Sequence, residues 1–316
     1  MAQNICEYLR REAVQNLFNA KTFRQSWDKA WRDEINSKIQ HLTASNVVDI
    51  GDSLGSIFRL TGASGRSQSD VSGGGNAWEA LVCWYLNICL IGSRTVVIKQ
   101  NKNLVPDPVR QALTVSYGNF PSGTESDLIA ITFPNKPCYT EDKDKIFIRD
   151  NNGKVVSLYF GKKEKKFNYI PIINLLSERD FSDFEIGVIQ CKTNWNDNAQ
   201  IPMLWDMIYS TSSFSRSSIS VGSSTFKIDY LQRFTYSFVT VPTVNRQKIS
   251  STSTCVKRVH NLSGGNYWGY PASPSIANSI KDIFGKNFTS ASSQSLVNRL
   301  NTELKHLKTR YSYFNL

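Results

Sequence analysis

FEIGVIQCKTNWND, residues 184–197, decides the fold. Its first half is a short apolar run rich in β-branched residues (Ile186, Val188, Ile189), and both of its faces are apolar. That pattern fits a strand covered on two sides, inside a sheet with helices on both faces. The second half changes character. Side chains alternate along a strand, so Gln190 and Lys192 continue the row of Ile186 and Val188, while Gly187, Ile189 and Cys191 form the other row. An ammonium buried without a partner is costly, and a buried amide needs its hydrogen bonds met. Lys192 therefore belongs where the sheet opens, beside carboxylates or a phosphate. Asn194 keeps the same parity. Asp197 or Asn198 suits the N-cap of the helix read in AQIPMLWDMIYS, residues 199–210.

Working outward, RTVVIKQ (residues 94–100), SDLIAITFP (126–134) and FTYSFVTV (234–241) read as further strands. IFIRDNNGKVVSLYF (146–160) reads as a hairpin turning at Asp150-Asn151-Asn152-Gly153, and GKKEKKF (161–167) as its basic, solvated end. A hairpin connection is expected to bring strands 127–133 and 186–192 into one sheet. Residues 1–60 and 272–312 carry helical spacing, and AWEALVCWYLNICLIG (77–92) is a helix apolar on nearly every face. TGASGRSQSDVSGGGN (61–76) reads as a Gly/Ser loop ahead of it, and it lacks the Gly-Lys-Ser/Thr of a phosphate loop. The expected class is α/β: a mixed central sheet flanked by helices, with a helical N-terminal part and a β-rich and helical C-terminal part.

The chain has 316 residues, 40 % hydrophobic and 20 % charged, which is the balance of a folded protein. Its formal net charge is +11, spread along the chain with no basic tail, which points to a polyanion held in a folded cleft. The longest apolar stretch, residues 77–92, falls short of the roughly 20 residues of a membrane span, and the first residues lack an apolar signal core. A cytoplasmic protein without a membrane partner is expected. Six cysteines without a CxxC pair and three histidines argue against a zinc site and against imidazole catalysis.

Asp127 opens the strand 127–133, two residues after Glu125, and its own row holds Ile129, Ile131 and Phe133. Glu79 lies in the first turns of the apolar helix, where the helix dipole also favours an acid. The ordered set of helix Glu79, strand Glu125-Ser126-Asp127 and strand Gln190-Cys191-Lys192 resembles the PD-(D/E)XK nuclease superfamily. With GGNYWG (264–269), the layout looks most like that of a type II restriction endonuclease. The resemblance covers residues 72–210, with Ser126 where the family's proline usually stands and Gln190 where an acid precedes x-Lys. It implies one nuclease domain over residues 1–316, with a helical part (1–60), a catalytic core (72–210) and a DNA-recognition and C-terminal helical part (211–316). It implies Asp127, Gln190, Lys192 and Glu79 as catalytic residues. It also implies Mg²⁺ held by Asp127, Gln190 and the Cys191 carbonyl, oxygen donors that suit this ion. No nucleotide cofactor is called for.

Double-stranded DNA and a homodimeric assembly follow from the same resemblance, since two-strand cleavage at a short site suits a two-fold axis. The amphipathic N-terminal helices are the candidate dimer contact. Base edges are read by Arg, Asn and Gln. Arg66, Arg216, Asn245, Arg246 and Lys248 stand in polar loops that suit this, Lys257 and Arg258 suit phosphates, and Asn194 suits a phosphate near the strand end. Two other readings stay open at this point: a modification- or structure-directed nuclease of the same superfamily, and a DNA-binding protein that keeps the fold without catalysis.

Overall fold

The computed structural model describes residues 3–61, 68–99, 103–122, 126–150, 152–193, 199–210, 219–242, 245–288 and 293–316. A five-stranded sheet organises them. Its strands, in chain order, are β1 (Thr95–Lys99), β2 (Leu128–Thr132), β3 (Glu185–Lys192), β4 (Arg233–Thr240) and β5 (Gly265–Tyr267). They stand side by side in that same order. β1 with β2 and β2 with β3 are antiparallel; β3 with β4 and β4 with β5 are parallel. The expected mixed sheet between helices is therefore present. β3 is its central strand, buried from Glu185 to Cys191.

Each face of the sheet has its own core. Val97, Leu128, Ala130, Ile189, Cys191, Val239 and Tyr267 meet the long helix α2 (Gln68–Cys89) and helices α5 (Ile280–Asn287) and α6 (Ser293–Glu303). Val96, Ile98, Ile129, Ile131, Ile186, Val188 and Tyr236 meet α3 (Tyr169–Arg179) and Tyr209 of α4 (Gln200–Ser210). Helix α1 (Ile5–Asn19) wraps the β1 edge: Val14 and Leu17 join the first core, and Ile5, Leu9 and Ala13 the second. Covering an edge strand in this way removes a template for unwanted pairing. Arg10 fixes the helix there. It is wholly buried, pairs with Glu7 at 3.2 Å and donates to the Ser93 carbonyl at 2.9 Å, just ahead of β1.

Three expectations need correction. α2 begins at Gln68, so the Gly-rich run belongs to the helix and not to a loop. A helix interior charges about 1 kcal/mol for each glycine, and the burial of residues 77–91 outweighs that. β2 and β3 are neighbours, but no hairpin joins them; the helix Pro137–Thr140, two short strands, α3 and the short helix Phe181–Asp183 lie between. Asn151 lies outside the described residues, but the Gly153 amide donates to the Asp150 carbonyl at 2.9 Å, with Gly153 at φ +77 and a bridge between Arg149 and Val155. The longer pairing expected there is replaced by Tyr159–Phe160 against Lys166–Phe167, across an exposed basic turn.

Candidate active site at one end of the sheet

The register brings the singled-out residues to one end of the sheet. Lys99, the last residue of β1, pairs with Leu128, the first of β2, and Leu128 pairs with Ile189. Asp127, one step earlier, stands level with Gln190. On the other side of β3, Lys192 pairs with Thr240, the last residue of β4. The two parallel strands end together, and the Thr240 hydroxyl (2.8 Å) and the Val241 amide (3.3 Å) both donate to the Lys192 carbonyl.

Asp127 prolongs the β2–β3 ladder with its side chain. Its Oδ2 accepts the Cys191 amide at 2.7 Å and lies 3.8 Å from the Lys192 ammonium. The Asp127 side chain is 19 % exposed and that of Lys192 24 %, so the pair is screened from water but reachable. A residue in an antiparallel pair turns its N–H and C=O to the same neighbour, so the Cys191 carbonyl faces the same side as the amide that Asp127 holds.

Glu79 reaches this end from α2. Its Oε2 pairs with Lys99 at 3.1 Å, and Lys99 also donates to the carbonyl (3.1 Å) and side-chain oxygen (3.0 Å) of Asn76, one turn earlier on the helix. The buried thiol of Cys191 registers the gathering of charge. Burial pushes it well above the usual range for a thiol, Asp127 and Glu79 push it the same way, and Lys192 opposes them. Asp127 and Lys192 thus meet at this end of the sheet, and the Glu79–Lys99 pair stands at the same end on the α2 side. Gln190 sits behind them, wholly buried, with its Oε1 accepting from the Tyr236 hydroxyl at 3.4 Å. Among the described residues no group of three His, Cys, Asp or Glu side chains forms a cage for a metal. The oxygens on offer are the two carboxylates and the Cys191 carbonyl.

Of the expected DNA contacts, Arg66, Asn194 and Arg216 lie outside the described residues, as does Glu125. Asn245 to Lys248 are exposed on the chain leaving β4, just past the site. Asn245 caps the short turn Arg246–Lys248 by accepting from the Gln247 amide at 3.0 Å. Arg246 stacks 4.0 Å from the centre of the Tyr270 ring. Arg59 approaches the same ring at 5.8 Å and donates to the Pro242 carbonyl. Lys257 and Arg258 occupy the helix Thr254–Val259, the first exposed and the second half-buried.

Lys99, Tyr236 and Arg59 were not among the expected residues. Lys99 had a readable signal, since it ends an apolar strand as Lys192 does. The other two reveal themselves only through contacts across 46 and 183 positions of sequence. No model of a known protein family matches the chain, and no curated protein sequence matches it. Among the described residues, no helix is long and apolar enough to cross a membrane.

Proposed function

We propose that the chain is a Mg²⁺-dependent endonuclease of the restriction type. In this reading it hydrolyses phosphodiester bonds of double-stranded DNA at a short specific sequence, and works in the cytoplasm as a homodimer. The observation that carries the reading is the meeting of Asp127 and Lys192 at 3.8 Å, at the partly open end of the sheet, with Glu79 arriving from a helix. The net charge of +11 and the exposed cations beyond β4 suit a duplex lying across that end.

Asp127, Glu79 and the Cys191 carbonyl would hold the ion, which takes oxygen ligands and keeps several waters. When bound, Mg²⁺ supplies a Lewis acid for the phosphate and lowers the pKa of a water. Lys192 orients the attacking water and offsets the charge that grows on the phosphate. Gln190, in this account, acts mainly as a buried support for the strand end; it would ligate the ion only by leaving Tyr236. Arg246 and Arg59 would contact the backbone of the bound strand, with Lys248, Lys257 and Arg258 further out.

One feature supports a second reading, a DNA-binding protein without catalysis. Each acid at the site already faces a lysine, Asp127 with Lys192 and Glu79 with Lys99. Digestion separates the two. Phage DNA is incubated with the protein in Mg²⁺ and in EDTA, and the products are sized. Discrete fragments in Mg²⁺ alone support the restriction-type reading, and a smear points to a modification- or structure-directed nuclease. Retention of DNA with no cutting, unchanged in Asp127→Ala and Lys192→Ala, would sink the catalytic proposal.

A further inference from the structure

A small second β-sheet includes the segment that precedes Asp127 in the chain. Val115–Tyr117 and Phe120–Ser122 form an antiparallel hairpin, and Ile219–Val221 adds a third strand. The turn is Gly118-Asn119, with Gly118 at φ +59. A glycine with positive φ in the first of two turn residues is what a tight type II′ hairpin needs. Tyr117 and Phe120 face each other across that turn as a cross-strand pair. They are 65 % and 71 % exposed, the latter the greatest exposure of any large apolar side chain described.

The foot of the ribbon, by contrast, is held firmly. Val115 is buried, the Gly222 amide donates to the Thr114 carbonyl at 2.8 Å, and the Tyr209 hydroxyl donates to the Leu113 carbonyl at 2.8 Å. Two rings are therefore presented to the surroundings on a fixed base. Side by side they form one largely uncovered apolar patch, the kind of surface that can serve as a contact with another molecule.

Chain length says where they stand. Phe120 precedes Asp127 by seven positions, so its Cα lies no more than about 25 Å from that of Asp127. That is about seven base pairs at 3.4 Å per step. Apolar side chains inserted between base steps kink a duplex and let more protein surface reach it.

We propose that the 115–122 hairpin is a DNA-engaging ribbon, and that Tyr117 and Phe120 wedge against base steps of the duplex whose backbone lies at the Asp127 end of the sheet. The inference rests on the nuclease reading above. It goes beyond it by assigning the element that deforms the DNA and the chemistry by which it does so.

The test compares the full chain with a Tyr117→Ala/Phe120→Ala double variant, using phage DNA. Binding is measured by retention in EDTA and cutting by digestion in Mg²⁺. Phe160→Ala is the control, since Phe160 is exposed to 54 % on the other hairpin. Thermal melting checks that each variant folds. Stacking on bases predicts at least about a tenfold loss of affinity in the double variant, a parallel loss of cutting, and parent behaviour in Phe160→Ala. Tyr117→Phe keeps the ring and should keep the affinity. If the parent binds DNA and the double variant matches it, the ribbon proposal fails while the nuclease reading stands. If the parent neither binds nor cuts, both fail. If the double variant instead breaks up a dimer and keeps its DNA affinity, the rings contact a second copy of the chain and the proposal is overturned.

Discussion

Lys192 and Gln190 lie on one row of one strand, yet their surroundings differ completely. Lys192 has the Asp127 carboxylate at 3.8 Å and keeps about a quarter of its side chain in solvent. Gln190 has none in solvent and leans on Tyr236. The boundary between core and site therefore falls within two residues. That separation yields a prediction for Gln190. Gln190→Ala removes a buried amide and its hydrogen bond from the Tyr236 hydroxyl, which should cost about 1–3 kcal/mol. Chemical denaturation would measure it. An unchanged midpoint would mean that the amide supports nothing, and would return Gln190 to the role of a metal ligand alone. Asp127 is held from the other side, by a backbone amide at 2.7 Å. A carboxylate fixed in this way needs no further reorganisation when a substrate arrives.

At the scale of elements, α2 shows how packing overrides local preference. Its C-terminal half carries Trp78, Leu81, Trp84, Tyr85 and Ile88, all at 0–1 % exposure, and that burial extends the helix back through the glycines. An added Cβ at Gly74 would meet nothing within 4 Å. Gly74→Ala should therefore stabilise the protein by about 0.5–1 kcal/mol, read as a melting temperature raised by about 1–3 °C. A lower melting temperature would show that the helix does not hold at that residue. The end of α3 supplies a pH-dependent element. Asp180 is 4 % exposed; burial works against its charge, but hydrogen bonds from Arg179, Lys136 (2.7 Å) and Tyr139 (3.0 Å) outweigh this and hold its carboxyl below the usual range. A depressed folded value contributes stability above the unfolded value near about 3.9, and loses it as pH falls through the folded value. Lys136 and Arg179 are 41 % and 54 % exposed, so Asp180→Asn should cost only about 1–3 kcal/mol at pH 7. The gap between parent and variant should close below about pH 4; a gap that stays constant from pH 7 to pH 3 would contradict this account.

For the whole molecule, sequence and structure agree where the signal is local. Strands β1 to β4 were readable because each is a compact apolar run, and β3 stood out because its two faces are both apolar. The site was legible as a set of residue types at strand ends, since an acid and a lysine attached to apolar strands require some partner. Its geometry was not legible. Asp127 and Lys192 are 65 positions apart in sequence, and Lys99 meets Glu79 because the sheet register and α2 bring them together. The 115–122 hairpin was hidden for another reason, since its short strands lie in a Pro/Gly-containing stretch that reads as a connection. The central claim is that the open end of the sheet cuts DNA with Asp127 and Lys192. Its most direct test is the rate of DNA cleavage in Mg²⁺ by the parent, Asp127→Asn and Lys192→Met, each first shown to be folded and to retain DNA. The account predicts that either change slows cleavage by at least about 10²–10³-fold while DNA retention stays within a few-fold of the parent. Cleavage at the parent's rate by both variants would contradict it.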